Sequence, residues 1–479
     1  MRFSNLSLVI ILFALVVIMR LPYIGNSPYE VGESWRQADT ESMARNFVED
    51  RFNIFFPQLN YDGEAPNYAQ LEFQITTFII AILYKLFGYH YELARLVPIL
   101  FFAGSACYLY FISKRYYSTK VSFVITLLYA IFPLNLYYTR AIMPESAVLF
   151  FTLGAFYYFS KWIDHEKFKT LIMATIMTAL AILVKVPAIF IGIPMLWMSI
   201  AKFKKTIFIK WQLWFFAIIS LSLPVIYFKW LEGVAEFNFV TGIASKHILP
   251  KFTNAIFSSQ SLQFFYTHLP QSFTWIGLVL ATIGVFQFKW RKESPIIVWW
   301  LAIVMEVLVI VAVIRFNYYL VFIGPLIAIL AGKALGILFK WKYGMIPVTF
   351  IMVVMTFNSY TNIQPRVVEK ENILIQAEYV KKYTEKEDLI VIGTFSPELI
   401  NASERKGWRA NINYYDYIPH GPEEEMDYFI AHGAKYFIPL KGFIYGDEDR
   451  SYRNYLDENF TKVEVVEAPE YSFYKLDKK

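Results

Sequence analysis

Eleven long apolar runs decide what this chain can become. Crossing a hydrocarbon core of ~30 Å takes roughly 17–25 predominantly apolar residues. The sequence offers runs near 5–23, 93–112, 121–138, 146–162, 171–184, 187–201, 211–229, 272–288, 296–314, 318–335 and 343–357. A chain of 479 residues that is 57% hydrophobic and 19% aromatic is not a soluble globular protein, and its class is polytopic membrane. The single cysteine, Cys107, lies inside an apolar run, which excludes a disulfide framework and a cysteine metal cluster. Leu21-Pro22-Tyr23-Ile24 stands where a signal peptide would carry a small-residue cleavage site, so the first run reads as an uncleaved span.

A further run at 73–87 is short and bounded by Glu72 and Lys85. Short cytoplasmic loops collect Lys and Arg, and that rule settles its place. With 73–87 lying along the membrane surface, five basic clusters share the inner side. They are Lys114/Arg115/Lys120, Lys161/Lys167/Lys169, Lys202/Lys204/Lys205, Lys289/Arg291/Lys292 and Lys333/Lys340/Lys342. A crossing 73–87 would turn all of them outward. The expectation is a mostly α membrane protein of about eleven transmembrane helices, with an interfacial helix in the first outer loop. The N-terminus is inside and the C-terminus outside.

That topology gathers scattered charges on the outer side. The stretch 33–47, ESWRQADTESMARNF, packs Glu33, Arg36, Asp39, Glu41 and Arg45 beside Trp35 and Gln37. It reads either as a solvated amphipathic helix or as the seat of a catalytic base, Asp39, at a membrane surface. Lys185, between two apolar runs, either snorkels to water or meets a phosphate as a point charge. Arg140 and Glu145 flank a short outer turn and are a surface pair or part of a site. Glu145 also suits a helix N-terminus. Arg315, before Phe316-Asn317-Tyr318-Tyr319, is an interfacial anchor or a second phosphate ligand. Glu306 lies mid-span with no partner evident in the sequence. The 232–271 loop carries Lys246, His247 and His268, and the histidines read as structural.

From 362 onward the composition becomes polar and long apolar runs stop. Short β-like runs at 389–393, 435–440 and 463–466 alternate with helical stretches. Ser396-Pro397-Glu398 and Gly421-Pro422-Glu423 resemble helix starts with proline in the first turn. The expected division is a membrane module at 1–360 and a small extracytoplasmic α/β accessory domain at 361–479. Asn401-Ala402-Ser403 and Asn459-Phe460-Thr461 match glycan acceptor sequons. A Gly-rich phosphate loop and metal-ligand spacing are both lacking from the sequence. An outward site without a nucleotide loop suits an activated sugar carried on a lipid phosphate.

These motifs, in this order, resemble the GT-C glycosyltransferases of the dolichyl-phosphate-mannose protein mannosyltransferase group, which includes bacterial aminoarabinose transferases. The resemblance rests on Trp35-Arg36-Gln37-Ala38-Asp39 with Ala44-Arg45-Asn46-Phe47, then Leu83 through Gly88, Ala94-Arg95-Leu96 and Lys114-Arg115-Tyr116-Tyr117. It continues with Tyr138-Thr139-Arg140 through Pro144-Glu145, Lys185-Val186-Pro187, and Arg315 with Tyr318-Tyr319-Leu320 and Pro325. It implies a GT-C fold and an inverting single displacement. A hexosyl or pentosyl group would pass from a polyprenyl-phosphate donor to a lipid, protein or polysaccharide acceptor outside a prokaryotic cytoplasmic membrane. It implies Asp39 and Glu145 as catalytic residues. Arg36, Gln37, Glu72, Arg140, Lys185, Arg315 and Tyr318 would contact substrate. Many relatives begin the first-loop motif with Asp-Glu, whereas here Thr40 separates Asp39 from Glu41, which leaves Glu33 and Glu41 open as the base. No cofactor or metal is called for by spacing, and a divalent cation stays open. Nucleic acid is not a partner. The competing class, a transporter or flippase of a lipid-linked glycan, calls for charges within several spans, and only Glu306 answers that description.

Overall fold

The computed structural model describes residues 5–63, 66–235, 237–412 and 417–478; the side chain of His247 lies outside what is described. The chain is mostly helical, with a small sheet near its C-terminal end. In chain order the first helices are α1 (Asn5–Ile18), α2 (Ser34–Glu49), α3 (Ile75–Phe87), α4 (Tyr91–Lys114), α5 (Thr119–Ile131), α6 (Pro133–Tyr138), α7 (Glu145–His165), α8 (Phe168–Val184), α9 (Gly192–Phe203) and α10 (Trp211–Glu232). Five helical segments are long and apolar enough to cross a membrane: Tyr91–Lys114, Val186–Ile209, Trp211–Glu232, Trp290–Ile314 and Met345–Arg366. The protein is a multi-pass membrane protein.

The runs at 146–162 and 171–184 are single unbroken helices, while others are interrupted, for local reasons. Pro133 has no amide hydrogen and keeps Phe132 extended (φ −56°, ψ 137°), so the run at 121–138 splits into α5 and α6. Thr274 takes φ 60° and its hydroxyl caps Gly277 N at 3.1 Å, which divides 259–285 into two helices. The first helix stops at Ile18, and Arg20 turns inward instead of toward water. Its guanidinium bonds the carbonyls of Val16 and Ala130 at 3.0 Å each and lies 4.1 Å from the Phe102 ring. Lys333, expected among the inner basic clusters, is buried and paired with Glu293 at 2.6 Å. Glycine permits one close crossing: a Cβ on Gly284 would stand 2.1 Å from the Leu330 carbonyl oxygen.

Helix α3, at 13 residues, is about 20 Å long, short of a hydrocarbon core. It buries Thr76, Thr77, Ile80, Ala81 and Tyr84 and leaves Leu86 and Phe87 exposed. A two-residue parallel pair, β1 (Ala69–Gln70) with β2 (Phe237–Asn238), ties the first loop to the loop after α10.

The C-terminal sheet has five strands: β3 (Leu389–Ile392), β4 (Lys406–Arg409), β5 (Ala434–Ile438), β6 (Phe460–Val463) and β7 (Phe473–Lys478). They run in the order β4-β3-β5-β7-β6. The first three are parallel and β7 is antiparallel to both its neighbours. Helices begin at Glu398 and Pro422, as the proline signals indicate. The run expected at 463–466 is the tail of β6 and the turn after it, while β4 and β7 were not expected. The sheet rests on the first loop. Asp62 N bonds Gly407 O at 2.8 Å and Gly407 N bonds Asn60 O at 2.9 Å, and Asp62 is ion-paired with Arg409.

Candidate active site

Helix α2 begins after Glu33, and its first turns carry three different assignments on three sides. Gln37 points into the bundle. It bridges Glu30 Oε2 (3.3 Å) and the Tyr137 hydroxyl (3.4 Å) and accepts from Arg95 (3.0 Å) and from Ile142 N (3.1 Å). Arg140 donates to Glu30 Oε1 at 2.6 Å, and Arg95 approaches the same oxygen at 3.3 Å. Gln37, Glu30 and Arg95 are fully buried and Arg140 is 1% exposed. This closed network satisfies its charges internally. Gln37 and Arg140, expected at the substrate, are engaged in this buried network.

A second group forms where α2, the segment before α3, α7 and α8 meet. Pro187 prevents α8 from continuing past Val184, and Lys185 is left extended (φ −151°, ψ 118°) with its ammonium at the helix end. That ammonium is ion-paired with Glu145, the first residue of α7, and lies 4.5 Å from the Tyr318 ring and 4.6 Å from that of Tyr319. Phe73 N bonds Leu183 O at 2.9 Å, which brings Glu72 alongside. Glu72 is ion-paired with Arg36. Burial alone would raise the Glu72 carboxyl, but the cations of Arg36 and Lys185 hold it below its ordinary value. Arg36, Glu72, Glu145, Lys185 and Tyr318 are thus brought together from five distant stretches.

The three carboxylates left open by the sequence separate clearly. Glu41 is fully enclosed, held by Arg45 at 2.7 Å and the Tyr84 hydroxyl at 3.1 Å. Asp39 accepts from the Tyr61 hydroxyl and from Asn401 Nδ2, each at 3.0 Å, so it faces the C-terminal sheet. Burial pushes Asp39 up to about 6, against the pull of Tyr61, Arg36 and Asn401. Glu33 is partly buried and is the one whose surroundings are the cluster. Burial pushes it up to about 7, Glu145 adds to the rise, and Arg36, Arg366 and Lys185 oppose it. A carboxyl poised near neutrality beside cations is what base catalysis asks for.

Arg315 sits apart, in a left-handed turn (φ 53°), bonding the Ala312 carbonyl at 3.2 Å. Arg366 was missed by sequence reasoning because it follows the last apolar run. It donates to the Tyr138 hydroxyl at 3.3 Å and lies 4.8 Å from the Tyr137 ring. Asn401 was read only as a sequon; its pairing with Asp39 left no sequence signal. Among the described residues no three His, Cys, Asp or Glu side chains converge to hold a metal ion. Below the cluster runs a narrow apolar crevice between α7, the Pro187–Ile191 turn and the helix Trp290–Glu306. Leu149, Pro187, Phe190, Ile303, Phe322 and Pro325 are among its walls.

Residues 75–230 match the sequence model of the dolichyl-phosphate-mannose-protein mannosyltransferase family. No curated protein matches the chain significantly. Its fold is similar to that of ArnT from Cupriavidus metallidurans bound to undecaprenyl phosphate, at 13% identity and TM-score 0.68, over 98% of both chains. It is also similar to the oligosaccharyltransferase AglB from Archaeoglobus fulgidus in complex with an inhibitory peptide and a dolichol-phosphate. That match has 11% identity and TM-score 0.62, over 98% of this chain and 74% of that one.

Proposed function

We propose that this protein, a membrane protein of GT-C fold, is a glycosyltransferase that moves a sugar from a polyprenyl-phosphate donor to an acceptor hydroxyl outside the cell. The observation that carries the reading is the mixed cluster of Lys185, Arg36, Glu33 and Glu145 at the head of an apolar crevice. A lipid phosphate asks for a fixed cation beside an apolar channel, and Lys185 next to Pro187 supplies it. In this reading a carboxylate takes the acceptor proton, the acceptor oxygen attacks the anomeric carbon, and polyprenyl phosphate leaves with the bonding electrons, inverting the centre. Arg36 and Lys185 balance the charge that builds on the leaving phosphate. Arg315, bonded to a carbonyl of its own turn, is a further phosphate contact at the rim.

In this reading the base is Glu33 instead of Asp39. Asp39 is engaged by two donors on the side of the C-terminal sheet, whereas Glu33 faces the cations. The reading has about eleven spans, with 1–360 as membrane module, α3 along the outer leaflet and 361–479 outside a prokaryotic cytoplasmic membrane. Transfer from a short-chain polyprenyl-phosphate sugar by purified protein tests it. E33Q is expected to lower turnover by roughly 10²–10⁴-fold and D39N by much less. Full turnover in E33Q with none in D39N returns the base to Asp39. Full turnover in both rejects base catalysis from this helix.

A further inference from the structure

Glu306 is the buried charge that the proposed reaction leaves unused. It ends the helix Trp290–Glu306, is fully buried, and neither of its carboxyl oxygens has a hydrogen-bond partner among the described residues. An unmet buried polar group is costly, so a fold that keeps one invites a ligand that meets it. Its direction follows from helical phase. Trp299 and Ile303 line the apolar crevice, and Glu306 lies seven and three residues on, over the same face. Across the crevice, Leu149 and Thr152 line the opposite wall, and Glu145 precedes them by four and seven residues on α7. Glu145 Oε2 is likewise buried and unpartnered. Lys185 is the charged group that acts on Glu306. By this phase Glu306 and Glu145, each with an unpartnered oxygen, lie on the faces of their helices that line the crevice, and Lys185 pairs with Glu145. Directly after Glu306 the helix widens into a π-helical turn, Val307–Val311, a feature frequent at functional sites.

We propose that Glu306, as its carboxylic acid, donates a hydrogen bond to the phosphate group that Lys185 receives. This rests on reading Lys185 as the phosphate cation. A carboxylate and a phosphate anion do not share a dry pocket, so the form that meets the phosphate is the acid, which carries a hydrogen to give. No bond is made or broken by it. Glu306 is a binding residue that fixes the phosphate before and after transfer, and it reads a phosphate oxygen, not the lipid chain.

The test is binding of a short-chain polyprenyl phosphate, and separately of inorganic phosphate, to the full chain in lipid nanodiscs. E306M, close in volume but unable to donate, is expected to weaken polyprenyl phosphate roughly ten-fold, while E306Q, which keeps a donor, stays within about three-fold. K185M is expected to lose binding. Normal affinity in E306M, or an equal loss in E306M and E306Q, overturns the role of Glu306. Normal affinity in K185M overturns the phosphate reading itself, so the two failures are distinct. If E306M does not fold, infrared difference spectra decide. Polyprenyl phosphate should shift a carboxylic-acid C=O band of the parent protein that E306Q lacks, and an absent shift refutes the proposal. A parallel loss for inorganic phosphate in E306M assigns the contact to the phosphate group alone. A loss confined to the lipid form assigns it to a phosphate held in place by its chain.

Discussion

Lys185 and Glu145 are each other's nearest opposite charge, and their pairing leaves one Glu145 oxygen free. A cation that binds an arriving phosphate must give up some of that pairing, so the two residues are not equivalent. K185M is expected to raise KM for the donor at least ten-fold by removing the ammonium over the Tyr318 and Tyr319 rings. As the proposed base, Glu33 would set the pH dependence. With its carboxyl pushed up to about 7 by burial, a base in this position loses activity as pH falls through about 7. The acid limb should vanish in E33Q and persist in D39N, which a pH series of transfer rates measures. The sequence singled out Lys185, Glu145, Arg36, Glu72 and Tyr318, which the structure brings together; Lys185 and Glu145 stood out as charges at the ends of apolar runs. It did not separate Glu33 from Asp39, which lie on one helix and differ by which neighbour each faces. Gln37 and Arg140 are closed within a buried network that the sequence does not signal. A polar residue closed within a scaffold and one awaiting substrate carry the same chemistry, and the partner that tells them apart, Glu30, is fully buried.

At the scale of elements, the Glu30–Arg95–Arg140–Gln37 network joins the chain before α2 to α2 itself, α4 and the turn before α7. It fixes the entry of α2, and so the stance of Glu33 and Arg36. Removing one member strands the others in a buried setting. R95M is expected to destabilise the protein by roughly 3–5 kcal/mol, read as lowered thermal unfolding in detergent, without abolishing donor binding in the folded fraction. The apolar runs were legible as a set. Their breaks were not, since Pro133 announces one while Thr274 requires a left-handed backbone that composition does not advertise. The strand β7 alternates over Tyr474–Asp477 and was passed over, whereas β4 lacks the alternation that marks a half-buried strand. Lys406–Arg409 is largely polar, yet its last three residues are buried against the first loop.

On the scale of the whole molecule, the C-terminal sheet and the membrane helices are fastened through α2 and the loop after it. The Ser34 hydroxyl meets Glu398, which Lys370 also holds at 2.8 Å, while Lys406 meets Asp50 at 2.6 Å and Asn401 meets Asp39. Inside the sheet region Glu425 is buried and accepts Asn411 N at 2.9 Å and 3.1 Å. Burial pushes its carboxyl up to about 8. The folded form thus keeps a proton that an unfolded chain loses near 4.3, so stability falls as pH rises across that window. Beyond the intrinsic rise of exchange with pH, the protection of β3 and β5 should fall from about pH 5 to about pH 8, and E425Q should remove that part of the change. The burial of Asn401, 2% exposed, reaches beyond catalysis. Its sequon is readable to an oligosaccharide-attaching enzyme only before the sheet has closed over α2. Sugar found on this asparagine would date its own arrival to the unfolded chain, and molecules bearing it could never seat Asp39.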